Sequence, residues 1–216
     1  MKAQGLYHPN QEHDACGVGF VVRIDGTRSH QIVRDGVHIL QNLVHRGAVG
    51  GDLKTGDGAG MILQLPHKFF SKVLGFSLPA EGKYGAGMFF LPQHEKDSER
   101  ARKMIAERTA AEGGKILGWR EVPTHPDCLG EMARDVMPSI WQLFVTFDGL
   151  EGLALERRLY ILRKVLENTA VQMSWGLEDF YIPSLSSRTI VYKGMFAAPQ
   201  FDSFFYDLKD SDLVSA

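Results

Sequence analysis

Asp14-Ala15-Cys16-Gly17-Val18-Gly19-Phe20 is the stretch on which the reading of this 216-residue chain turns. A cysteine that follows a short polar leader and opens a Gly-punctuated apolar run is a candidate first residue of a mature chain. A chain-terminal cysteine carries nucleophile and base on one residue: the thiolate attacks and the α-amine shuttles the proton. The free thiol has a pKa of about 8.5 and the α-amine about 7.7–8.0, so modest electrostatic help arms both. An internal Cys16 has only a peptide nitrogen, which is no base. The reading therefore requires removal of residues 1–15 as a leader or propeptide, leaving a catalytic domain over 16–216. The alternative is a buried thiol at the start of a strand, because free cysteines are among the most buried residue types.

Outward from Cys16, residues 17–24 read as a strand apolar enough to be buried on both faces, and Asp25-Gly26-Thr27 as a turn. Residues 30–44 predict a helix, with Ile32, Val33, Val37, Leu40, Leu43 and Val44 at helical spacing. That helix delivers His45-Arg46-Gly47-Ala48 at its C-terminal end. Six glycines fall between residues 47 and 60, which predicts a loop whose backbone turns tightly or approaches something closely. Strands are predicted over 61–65, 85–91, 116–122, 140–147, 180–183 and 189–192. Helices are predicted over 67–74, 95–111, 153–172 and 199–208. In the helix at 95–111, Ala101, Met104, Ile105 and Ala111 form the inner face. Several strand pairs are joined by short connections, which favours antiparallel sheets covered by helices over a doubly wound parallel sheet.

Composition narrows the function classes. Hydrophobic residues make up 44% and charged residues 23%, the profile of a soluble globular chain. A net charge of −2 offers no broad attraction to nucleic acid or an anionic membrane. No apolar run approaches the roughly 20 residues that span a bilayer, and the leader has no apolar central region, so it is no secretory signal. A cytoplasmic protein is expected. Cys16 and Cys128 make no disulfide framework, and the eight scattered histidines and the absence of Cys-x-x-Cys or His-Glu-x-x-His argue against a metal site.

Four motifs in order carry a family resemblance: Cys16-Gly17-Val18-Gly19-Phe20, His45-Arg46-Gly47-Ala48, Thr55-Gly56-Asp57-Gly58-Ala59-Gly60, and the run from Ser184 to Met195. The first two resemble the class II glutamine amidotransferases, which are N-terminal-nucleophile hydrolases. The last two narrow the resemblance to the N-terminal glutaminase domain of glutamate synthase large subunits. The resemblance implies an α+β fold, a four-layer αββα sandwich with Cys16 at the end of a central strand. It implies L-glutamine as substrate, whose side-chain amide is hydrolysed through a thioester, and 2-oxoglutarate as the ammonia acceptor at a distant site of the longer protein. FMN, an iron–sulfur cluster and a small electron-transfer subunit are implied for that longer protein, and no cofactor for this segment.

Arg46 is expected to shape the site around Cys16 and the bound glutamine through paired hydrogen bonds; otherwise it is a helix-end cation facing the macrodipole. Gly47 is expected to let the backbone pass close by. His45 invites a Cys–His pair, against which stands a helix-capping role. The Thr55–Gly60 loop lacks the Gly-Lys-Ser/Thr ending of a phosphate cradle and is read as lying near the glutamine pocket, with Asp57 a turn or hydrogen-bonding residue. Ser186, Ser187 and Arg188 are either turn chemistry with an ion pair or catalytic. Phe201, Phe204, Phe205 and Tyr206 read as core or interface packing.

The resemblance also implies that the domain continues past Ala216 with an Asn-Gly oxyanion hole. The three asparagines, Asn10, Asn42 and Asn168, are not followed by Gly. The four-layer sandwich is thus expected to be incomplete, and the segment alone weakly active or inactive. Three other readings stay open: another class II amidotransferase with a sugar-phosphate or phosphoribosyl acceptor, a non-catalytic module that keeps the fold, and a papain-like thiol hydrolase.

Overall fold

The computed structural model describes residues 17–47, 50, 52, 54–176 and 180–216. Helix α1 (His30–Asn42) leads through a 3-10 turn (Val44–Arg46) to the glycine-rich loop and strand β1 (Ala59–Gln64). Then come α2 (His67–Val73), β2 (Gly85–Leu91), α3 (Glu95–Ala111), β3 (Gly114–Glu121), the short α4 (Glu131–Asp135) and β4 (Ser139–Phe147). The long α5 (Gly152–Gln172), β5 (Tyr181–Ser186), β6 (Thr189–Gly194) and the single turn α6 (Phe201–Phe204) complete the order.

Period-2 alternation builds the central sheet, whose order is β3-β4-β2-β5 with every pair antiparallel. Met88 lies opposite Gln142 and Ala86 opposite Phe144, so even-numbered residues of β2 and β4 share one face. Phe89, Leu91, Leu143, Val145 and Phe147 point the other way, into a cluster closed by Ala101, Met104 and Ile105 of α3 and the Leu155–Leu159–Leu162–Leu166 stripe of α5. The even face meets a second cluster with Leu63 of β1, Ile190 and Tyr192 of β6, Val33 and Val37 of α1, and Phe196, Phe201, Phe204 and Phe205. β1 and β6 form a two-stranded antiparallel sheet in which Met61 faces Tyr192 and Leu63 faces Ile190. α1 packs against β1, the two sheets meet through the shared cluster, and α3 and α5 cover the far side. The fold is α+β, with the α/β/β/α order of layers that the motifs imply.

A buried polar network crosses the second cluster. The Arg120 guanidinium of β3 donates to both oxygens of Asp207, at 2.8 and 2.6 Å, and to Gln142 Oε1 at 2.8 Å. Tyr192 OH donates to Asp207 Oδ2 at 2.8 Å and accepts from Gln142 Nε2 at 3.0 Å. The Asp207 side chain is 2% exposed and that of Arg120 13%. Burial, followed by the neighbouring Asp207 charge, pushes the Tyr192 hydroxyl well above its ordinary pKa, so it stays protonated and donates.

Several expectations need correction. Residues 17–24 form no strand: Val18, Phe20, Val22 and Ile24 are 59–102% exposed, and the segment has no ladder partner among the described residues. Its alternation is that of a strand, but without a neighbour to exchange hydrogen bonds the segment stays irregular. The helix expected over 199–208 breaks into α6 flanked by 3-10 turns, because Phe205 adopts an extended backbone and bridges Thr124 while Asp207 turns in to Arg120. Ala111 is exposed, and Ser98 and Thr109 take the remaining inner positions of α3. The two short strands about the serine-rich turn run further than expected, to Ser186 and Gly194. Helix α4 was not anticipated.

Removing one partner of the Arg120–Asp207 pair strands a buried charge. Asp207→Asn is expected to cost about 3–5 kcal/mol, and Tyr192→Phe, which deletes one hydroxyl, about 1–2 kcal/mol. Urea unfolding midpoints of the two variants against the parent check the ranking.

Candidate active site

The candidate site is framed by the end of α1 and the loop that follows it. Leu43 donates its N–H to Ile39 and Leu40, and the chain tightens into the 3-10 turn Val44–Arg46, which closes with Gly47 N–H donating to Val44 O at 3.2 Å. His45 is exposed, and its Nδ1 lies 3.0 Å from Asn42 O, so the imidazole caps the open end of α1. Arg46 closes the turn, and its side chain lies outside the described residues. Gly47 has an ordinary extended backbone, and a Cβ there would meet only Val44 O, at 3.7 Å.

Cys16 and the leader 1–15 lie outside the described residues, as does Ala48. The segment directly after Cys16 is placed. Gly19 packs against the Ile39 side chain of α1, and a Cβ on it would come within 3.9 Å of Leu43 Cδ1. The chain leaving Cys16 therefore runs beside the last turn of α1, the same turn that leads into His45-Arg46-Gly47.

The Thr55–Gly60 loop lies against β6 and the residues after it. Gly58 has φ +124°, a region that favours glycine, with Gly194 O only 3.1 Å from where a Cβ would sit. A Cβ on Gly60 would stand 2.6 Å from Lys193 Cβ and 3.0 Å from Tyr192 O. The glycines therefore serve close backbone approach, with no phosphate needed to explain them. The loop lines a cleft of about 850 Å³, whose other walls include Phe90, Tyr181, Lys193, Ala133 and Val136. Lys193 Nζ stands 5.0 Å above the Tyr181 ring, and Asp57, on the loop, is exposed at the cleft.

The serine turn is structural. Ser186 Oγ and Ser187 Oγ donate to the Glu156 carboxylate of α5, at 3.1 and 2.6 Å, and Ser187 N–H donates to it as well. Arg188 is exposed; its N–H donates to Ser186 Oγ and its carbonyl accepts from Leu65 N–H. Phe201, Phe204 and Phe205 are core, and Tyr206 stacks on His125 at the surface. Among the described residues no group of three or more His, Cys, Asp or Glu is placed to hold a metal ion, so they do not fit an iron–sulfur cluster. No helix among them is long and apolar enough to cross a membrane.

The model of the class-II glutamine amidotransferases matches residues 16–216, beginning at Cys16. The chain belongs to this family. As an amidotransferase chain it is also similar along its whole length to individual proteins. It is 43% identical over 221 residues to the glutamate synthase [NADPH] large chain of Bacillus subtilis, covering 100% of this chain and 14% of that protein. It is 43% identical over 220 residues to the corresponding Azospirillum brasilense chain, with the same two coverages. It is 38% identical over 210 residues to the ferredoxin-dependent glutamate synthase of Spinacia oleracea chloroplasts, covering 94% of this chain and 13% of that protein. The amidotransferase chain thus spans about one-seventh of the length of these curated relatives.

The tight seat of the loop on β6 is directly measurable. Gly60→Ala must displace backbone and is expected to destabilise the protein by about 1–3 kcal/mol. Gly75→Ala, whose Cβ would meet nothing within 4 Å, should stay within about 0.5 kcal/mol of the parent. Thermal unfolding of the two variants side by side decides it.

Proposed function

We propose that this chain carries the glutaminase centre of a glutamate synthase. The observation that carries the reading is the family match beginning at Cys16, together with relatives named as glutamate synthases over the length of the chain. Those relatives favour it over an amidotransferase with a sugar-phosphate acceptor.

In this reading loss of residues 1–15 frees the Cys16 α-amine. The amine takes the thiol proton, through a water, and the thiolate attacks the side-chain amide carbon of glutamine. The C–N bond breaks, the proton passes from the α-ammonium to the leaving nitrogen, and ammonia departs, leaving a γ-glutamyl thioester on Cys16. Water, deprotonated by the same amine, attacks the thioester; the C–S bond breaks, and glutamate and the free thiol result. Arg46 fixes the loop or the substrate carboxylate with its guanidinium. The α-amine supplies the base, so His45, which caps the end of α1, is not required in that role.

The released ammonia goes to 2-oxoglutarate in a part of the polypeptide beyond this segment. FMN and an iron–sulfur cluster would be housed there, a small electron-transfer subunit would complete the system, and the whole would be cytoplasmic. No step in the glutaminase half draws on those groups.

Two measurements test the reading. Intact mass and N-terminal sequencing of the active protein should find Cys16 first. In the full-length polypeptide, Cys16→Ala should lower glutamine-dependent glutamate synthesis by at least about 10³-fold while synthesis driven by ammonium salts persists. Glutamine-dependent turnover that survives the substitution would rule out Cys16 as nucleophile.

A further inference from the structure

Asp52 stands between the His45–Arg46–Gly47 turn and the Thr55–Gly60 loop, and none of the sequence motifs assigns it a role. Its Oδ1 accepts the N–H groups of Lys54 at 3.1 Å and Thr55 at 2.7 Å, and its Oδ2 accepts the Thr55 hydroxyl at 2.6 Å. Gly50 N–H donates to Thr55 O at 2.6 Å.

The same two side chains then reach a distant element. Thr55 Oγ1, having donated to Asp52, accepts the N–H of Ala133 at 3.3 Å, and the Asp52 carboxylate lies against Gly130. Ala133 is the third residue of α4, whose first-turn N–H groups have no partner inside the helix. The residue at the cap position is Gly130, which has no side chain to offer. Helix α4 is therefore capped from more than seventy residues away. Gly130 makes the contact possible: a Cβ there would lie 2.7 Å from Thr55 N and would run into the Asp52 carboxylate.

We propose that Asp52 and Thr55 are positioning residues of the glutaminase centre, anchoring the start of the glycine-rich loop to α4 and so fixing the backbone that frames bound glutamine. The inference rests on the glutaminase reading. Chain connectivity supports it. Gly56 follows Thr55 directly, so a shift at the clamp moves the glycine-rich loop. Ala133 of α4 and Val136 just after it line the same cleft as the loop, which makes the clamp the tie between two of its walls. The hydroxyl and N–H of Thr55 hold the Asp52 carboxyl down at about 2. The clamp is thus fully formed above the ordinary carboxylate range and is lost only as pH falls toward 2.

The test is steady-state kinetics of the full-length polypeptide with glutamine and, separately, with ammonium chloride as nitrogen source. Thr55→Val removes the hydroxyl at constant shape, Thr55→Ser keeps it, and Asp52→Asn keeps the size but removes the charge. The expected result is a KM for glutamine about five- to tenfold higher in Thr55→Val and Asp52→Asn. The glutamine kcat should fall less, the ammonia-driven rate should hold, and Thr55→Ser should restore the parent KM. A parent KM in Thr55→Val, in a preparation where Cys16→Ala abolishes the glutamine-dependent rate, overturns the positioning role and leaves the glutaminase reading standing. Equal loss of the glutamine- and ammonia-driven rates also overturns it, by showing a purely structural part. A glutamine-dependent rate that survives Cys16→Ala overturns the glutaminase reading and the positioning role with it.

Discussion

The buried ion pair between Arg120 and Asp207 is the interaction on which the arrangement of layers depends. Arg120 belongs to the edge strand of the four-stranded sheet, Gln142 to its neighbour, Tyr192 to the two-stranded sheet, and Asp207 to the 3-10 turn after α6. One carboxylate therefore joins both sheets to the C-terminal segment. Two charges removed from water are tolerated only when their remaining hydrogen-bond positions are filled, and here Gln142 and Tyr192 fill them. The Arg120 guanidinium also lies 5.4 Å from the centre of the Phe69 ring, so α2 packs against the network. The apolar clusters supply most of the favourable free energy, but they are indifferent to register. The polar network is directional and selects one way for the sheets to meet.

The same economy of partners recurs around the cleft. Glu156 gathers the Ser186–Ser187 turn and pins the β5–β6 connection to α5, while Asp52 gathers Thr55, which accepts from the first turn of α4. In each case a carboxylate with several N–H or O–H donors fixes a segment that carries little apolar area of its own. The β1–β6 ladder and the close approach of Gly58 and Gly60 hold β6 and the glycine-rich stretch in contact, and that contact forms part of the cleft wall.

Local periodicity made much of the fold legible. The Leu155–Leu166 stripe of α5, the inner face of α3 and the alternation of β2 and β4 all state their neighbours in the sequence itself. The reading failed where the deciding contact is remote. Residues 17–24 alternate like a strand, but alternation does not supply the partner that would make them one. The segment after Pro199 has helical spacing, yet Thr124 and Arg120, each about 80 residues back, pull Phe205 and Asp207 out of it. Helix α4 is five residues long and borrows its cap from Thr55, so no local signal announces it. At the candidate site, the Cys16 motif, Arg46 and the glycine loop stood out by residue type. Asp52 and Thr55 did not; the one trace they leave is an Asp three residues before a Thr, the spacing of a self-closing turn.

The two apolar clusters differ in how far apart along the chain their members lie. The cluster under α3 and α5 is drawn from residues 89–185, whereas the one between the sheets reaches from Val33 to Leu213. Bringing together residues separated by most of the chain costs loop-closure entropy before any contact repays it. A growing polypeptide can therefore close the α3–α5 side while Phe196–Leu213 are still unmade. The space between the sheets can close only after the aromatic residues at 196–205 and Asp207 have emerged. Assembly thus runs from the helical back of the domain toward the face that carries the cleft.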